Sequence, residues 1–258
     1  MPDIYAHTGD ANLRMNNESS WSDARDASTA EAIDTTATSY ATGIRVQNNS
    51  GAYTVRRYFL AVDTSGISFK PASATLKIYG LTNAGSNIIA VKVNQAATGD
   101  ASTNFAAADF DQIDFTTPFS SEYSATWNTS GYNEIALNDA ALTEMLNFDS
   151  IKIAVIGHDH DFLNVEPSVG FSRTTGFYPA TATSVANRPL ISYSLEHGEA
   201  SYDVSDDYTI STFGSNNLDK QFIRNVEQVP FSLGVKGPRH LRGRTTSYSV
   251  TLGSKDKK

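Results

Sequence analysis

The sequence predicts an all-β protein: an antiparallel jelly-roll β-sandwich with two short helices over residues 1–196, followed by a C-terminal extended arm over 197–258. Three observations predict it. Serine and threonine number 29 and 26 of 258 residues, with 12 tyrosines and 13 phenylalanines beside them. These are strand and turn formers, whereas the Leu, Glu, Lys and Gln on which helical proteins depend are sparse. Short alternating or apolar runs recur between Gly, Asn, Ser and Thr clusters, the punctuation of a β-sandwich. Beyond Glu196-His197-Gly198-Glu199 the apolar periodicity weakens, and too few apolar residues remain for a second independent core.

Taken in order, Tyr53 to Val62 is β-rich and ends at the turn Thr64-Ser65-Gly66. Ala74 to Tyr79 alternates, with Leu76 and Ile78 on one face. Asn83 to Asn87 separates it from Ile88 to Val93, and the pair reads as a hairpin. Asn104 to Phe110 is Ala-rich with an Asn at the capping position. Asn138 to Leu146 carries Asn138 or Asp139 as cap and Leu142, Met145 and Leu146 at helical spacing. Ile151 to Ile156 is the most apolar run and reads as a central strand. Val169 to Ser172 and Leu190 to Leu195 close the series. In the arm, Tyr208 to Phe213 and Ser247 to Leu252 each have the pattern of a single strand.

Composition sets further bounds. At 40% hydrophobic and 19% charged, the chain has the material for a sizeable core. It has no cysteine, which excludes disulfides, thiolate metal sites and cysteine nucleophiles. Met1-Pro2-Asp3-Ile4-Tyr5 opens no basic segment followed by an apolar run, and no run of 18 apolar residues occurs. A protein made in the cytoplasm, with no membrane partner, is therefore expected. The net charge of −8 is uneven: residues 220–258 hold nine Lys/Arg against Glu227 and Asp256, a net of +7, which leaves −15 on the rest. An acidic body repels phosphate backbones, so nucleic acid is disfavoured as a partner.

Several phrases resemble a known family. Ser20-Trp21-Ser22-Asp23-Ala24-Arg25, Arg57 to Ile67 (RYFLAVDTSGI) and Ala72 to Gly80 (ASATLKIYG) are similar to the opening of DNRLRE-like, carbohydrate-binding-module-like jelly rolls. His158 to Asn164 (HDHDFLN) and Arg188 to Tyr193 (RPLISY) continue the resemblance, which spans about residues 3–195. It implies a jelly roll. Free-standing domains of this kind are similar to virion proteins of tailed bacteriophages, so it also implies a structural protein of the head, neck or tail. Such a protein would be repeated as a homo-oligomer among other virion proteins and able to hold host polysaccharide. The alternative is a non-catalytic carbohydrate-binding module serving a polysaccharide-degrading enzyme. Within these phrases, Phe59 or Leu60 supplies core surface, and Arg56 or Arg57 can meet an acidic partner across the sheet.

No P-loop, dinucleotide fingerprint, nucleophile elbow or zincin motif is present, so no catalytic residue is expected. His158-Asp159-His160-Asp161 invites a structural ion, calcium through carboxylates or zinc through histidines. If extended, His158 and His160 share one face; the competing reading is ordinary polar sequence where a buried strand leaves its sheet. Pyranose faces stack on aromatic rings, and Trp21, Trp127, Tyr123, Tyr132, Phe177 and Tyr178 lie in polar, loop-like settings. Of these, Trp127, Phe177 and Tyr178 are the glycan candidates, with Asp161 or Arg173 as polar partners. In the arm, Arg239, Arg242 and Arg244 suit an acidic protein surface, and Tyr248, Val250 and Leu252 alternate like a strand that can extend another sheet.

Overall fold

The computed structural model describes residues 2–94, 104–195, 231–235 and 250–254. The chain divides into two compact units, Met1–Glu196 and His197–Lys258. The first unit is an antiparallel β-sandwich. It begins with β1 (Asp3–Tyr5), β2 (Ala11–Glu18), the short helix α1 (Trp21–Arg25), β3 (Ala32–Asp34) and β4 (Tyr40–Asn49). There follow β5 (Ala52–Asp63), β6 (Pro71–Asn83), β7 (Ile88–Val93), β8 (Ile113–Pro118) and β9 (Tyr132–Leu137). Helix α2 (Asp139–Asn147), β10 (Ser150–Gly157), β11 (Ser172–Phe177) and β12 (Leu190–Leu195) complete it.

One sheet runs β1-β12-β6-β9. The other is organised on β5, whose residues 53–59 pair with β2, 52–56 with β4 and 58–63 with β10. β3 extends it beyond β2, and β7 then β8 extend it beyond β10. β11 lies beside β4 and also pairs Thr175, Gly176 and Phe177 with the end of β6, which joins the two sheets.

The alternation of β5 and β10 builds two cores. Tyr58, Leu60 and Val62, with Ile151, Ile153 and Val155, face Leu76, Ile78, Ile135 and Ile191 of the other sheet. Phe59, Ala61, Ala154 and Ile156 point the opposite way, under Trp21 and Ala24 of α1 and under Phe105, Phe110 and Ile113. All eight residues of β10 are therefore buried, and a strand covered on both faces reads as a continuous apolar run, as Ile151 to Ile156 does.

Helix α2 forms where its spacing predicts. Asn138 caps it by accepting from the N–H groups of Ala140 (3.1 Å) and Ala141 (3.3 Å), and Leu142 and Met145 enter the core between the sheets. Three expectations fail. Residues 104–110 make only a 3-10 turn at Ala107–Asp109. Phe105 and Phe110 both enter the second core, yet five residues apart on an α-helix they would diverge by about 140°. Ala74–Tyr79 and Ile88–Val93 are not a hairpin: β6 pairs with β9 and β12, β7 with β10 and β8, and the chain between them crosses from one sheet to the other. The strand expected over Val169 to Ser172 is instead an exposed turn at Val169-Gly170, with Gly170 at φ 82°, and β11 starts only at Ser172.

In the second unit, β13 (Phe231–Val235) pairs antiparallel with β14 (Val250–Ser254), with Leu233 opposite Leu252. Val250 and Leu252 thus lie in a strand with a partner in its own chain. Tyr208 to Phe213, Arg239, Arg242, Arg244 and Tyr248 lie outside the described residues. Among the described residues no helix is long and apolar enough to cross a membrane.

Candidate functional site

Arg57 sits on the face of β5 that enters the second core, because Tyr58 and Leu60 beside it occupy the first. Nothing of its side chain reaches solvent, and each of its three nitrogens has an acceptor. Nε donates to Asp161 Oδ2 (2.9 Å) and Nη2 to Asp161 Oδ1 (2.7 Å). Nη2 also donates to the Arg25 carbonyl (2.7 Å), and Nη1 to the Phe110 carbonyl (2.8 Å). The guanidinium lies 4.1 Å from the Phe110 ring centroid. Arg57 thus meets the acidic partner that its strand position suggests.

That pairing decides the His-Asp-His-Asp run. Residues His158–Phe162 are one π-helical turn, not an extended strand. The turn carries Asp161 to the interior, fully buried, so Asp161 is neither a glycan partner nor a metal ligand. His158 and His160 are separated as well. His160 Nδ1 lies 2.7 Å from the Val165 carbonyl oxygen, with its ring edge-on to Phe171. His158 Nδ1 lies 3.0 Å from Asp159 Oδ1 and 3.6 Å from Glu122 Oε2. Glu122 is invisible to a local motif search: the bridge between Tyr123 and Ile88 delivers it.

Two of the aromatic candidates are structural. Phe177 is fully buried against Tyr58 and Tyr40, at centroid distances of 4.4 and 5.7 Å. Trp127 is 4% exposed, and its indole N–H donates to the Gly176 carbonyl (3.1 Å). Neither ring can take a sugar, because both are packed into the core between the sheets. Tyr178 is the next residue, and alternation turns it outward onto Tyr79 (5.7 Å, 74°), which meets Tyr132 across the β6–β9 pair (5.4 Å, 76°). All three residues are half-buried. Lys77 and Glu134, the next outward residues on the same strands, form an ion pair of 3.0 Å. Tyr132 donates from its hydroxyl to the Ala186 carbonyl (2.8 Å), and burial, then nearby Tyr5 and Asp3, push its pKa up to about 12. Arg173 is exposed and lies over Phe171 (5.2 Å), and with His160, Asn87 and Asp159 it lines a cavity of about 10 Å³, room for one water.

Asp10 is a further buried acid. Tyr58 donates its hydroxyl to Oδ2, and the Ala180 N–H does so at 2.8 Å, while Oδ1 has no partner among the described residues. Burial outweighs those two bonds and raises its pKa to about 6.

Among the described residues, two groups stand out: the Tyr79–Tyr132–Tyr178 surface on the outer face of the β1-β12-β6-β9 sheet, and the Glu122–His158–Asp159 group. No model of a known protein family matches the sequence. No curated protein matches it either.

Proposed function

We propose that this chain is a structural, non-catalytic component of a bacteriophage particle, repeated as a homo-oligomer among other virion proteins, that holds host-surface glycans on Tyr79, Tyr132 and Tyr178. The observation that carries the glycan part is the half-exposed tyrosine group beside the Lys77–Glu134 pair. Ring faces cover the apolar face of a pyranose while charged neighbours bond its hydroxyls. The virion part is supported by the phrases around Trp21, Arg57, Ile78, Asp161 and Leu190, which resemble phage jelly-roll domains. Those phrases serve the scaffold: Trp21, Phe59, Leu76, Ile78 and Leu190 are buried, and Arg57 with Asp161 joins strand to turn.

The same tyrosine surface would serve a carbohydrate-binding module attached to a polysaccharide-degrading system. Two experiments separate the readings. Retention on a panel of bacterial polysaccharides tests the surface; parental retention by Tyr178→Ala and Tyr132→Ala removes it from the function. Proteomics of purified particles, with the neighbouring genes, tests the setting. Portal, capsid and tail genes are expected; a neighbouring glycoside hydrolase, with no chain in particles, replaces the virion reading by the module.

A further inference from the structure

We propose that His158, Asp159 and Glu122 form a site for a first-row transition ion of the zinc class, with three protein donors and an open fourth position. The donors come from two places in the chain. His158 and Asp159 open the π-helical turn after β10, and Glu122 follows β8. Backbone hydrogen bonds fix both to the start of β7: His158 N–H to the Asn87 carbonyl (2.9 Å), Tyr123 N–H to the Ile88 carbonyl (2.8 Å), and Ile88 N–H to the Tyr123 carbonyl (3.3 Å). Sheet pairing, rather than attraction among the side chains, brings the donors together.

Their spacing suits a small ion. Zinc binds N and O at about 2.0–2.1 Å, so tetrahedral angles set neighbouring donors roughly 3.3 Å apart. His158 Nδ1 is 3.0 Å from Asp159 Oδ1 and 3.6 Å from Glu122 Oε2, and the three donor atoms lie within 4.8 Å of one another. Two carboxylates and a neutral imidazole offset a dication. The imidazole nitrogen and the small donor number select zinc-class ions over calcium, which takes six to eight oxygens.

The surroundings orient the donors. Asn87 Nδ2 donates to Asp159 Oδ2 (3.2 Å), which leaves Oδ1 toward His158. The His158 ring stacks on Phe162, with centroids 5.8 Å apart and planes 20° apart. Partners of this kind, behind the ligands, are what hold a metal site in shape. His158 and Glu122 side chains are 17% and 34% exposed, so an ion can reach them from solvent.

The test uses the full chain without a histidine tag, stripped with chelator and titrated with Zn²⁺ by calorimetry and with Co²⁺ by visible absorption. One ion per chain is expected, with the intense cobalt bands of a four-coordinate site. His158→Ala and Glu122→Gln should each weaken binding at least about ten-fold, while His160→Ala should bind as the parent does. Absence of stoichiometric binding overturns the proposal. So does binding that survives both His158→Ala and Glu122→Gln, because the chain holds five histidines and the ion would then sit on others. Circular dichroism checks that each variant is folded; should His158→Ala unfold, Glu122→Gln alone decides, since its side chain is partly in solvent.

Discussion

Arg57 and Asp161 meet through two hydrogen bonds of 2.9 and 2.7 Å, and neither side chain reaches solvent. One residue is mid-strand in β5 and the other is in the turn after β10, so the pair pins that turn onto the outer face of the sheet. A buried bidentate pair contributes little beyond an apolar replacement, but breaking it leaves a charge in the core.

Asp161→Asn should therefore destabilise the protein by about 3–5 kcal/mol. The double variant Arg57→Met/Asp161→Leu should recover much of that loss, because Arg57 no longer leaves a charge in the core and Arg25, which also lies 3.8 Å from Asp161, keeps Asp26. Urea unfolding of the three proteins measures it. A single-variant loss below about 1 kcal/mol would mean that the pair is not desolvated.

Burial raises the Asp10 carboxyl from its ordinary value of 3.8, kept in the unfolded chain, to about 6 in the fold. Between those values the folded state holds more protons than the unfolded state, so its contribution to stability is full below pH 4 and is lost as pH rises through 6. The whole effect is on the order of 3 kcal/mol. Asp10→Asn cannot ionise, so its stability relative to the parent should climb from pH 4 to pH 7. Thermal unfolding across that range reads the slope, and a pH-independent difference would refute it.

Phe177 and Trp127 should behave as core residues. Phe177→Ala is expected to cost about 3–5 kcal/mol, as for other buried aromatics. Tyr178→Ala, at a half-exposed ring, should cost much less while lowering glycan retention. Denaturation midpoints compared with retention on the same polysaccharide separate packing from binding.

Truncation after Glu196 should leave a soluble, folded sandwich, because the described residues that build the two cores extend no further than Tyr193. The truncated chain should no longer enter particles if the arm is the attachment device. Circular dichroism and particle occupancy report on the two halves of this expectation. Loss of folding would make the arm part of the domain, and parental occupancy would move attachment to the faces of the sandwich.

Local sequence determined the class of the protein and several of its parts. Alternation in Leu76 and Ile78, the uniform run Ile151 to Ile156 and the Asn138 cap each carry their own signal, because strand burial and helix capping depend on neighbours in sequence. Only the tertiary structure decided which strands pair. β6 and β7 are adjacent in sequence and lie in different sheets, since a strand's pattern states that it is buried and not against what. The site followed the same division. The residue types in His158-Asp159-His160-Asp161 were legible, but one π-helical turn sent Asp161 to Arg57, left His158 outside and separated it from His160. Glu122 and Tyr79 joined their groups through strand pairing across long stretches of chain, so no spacing along the sequence could announce them. Phe177 and Tyr178 show the reason at its smallest scale: neighbours of the same chemical kind, they point to opposite faces of β11's end, one into the core and one to the surface.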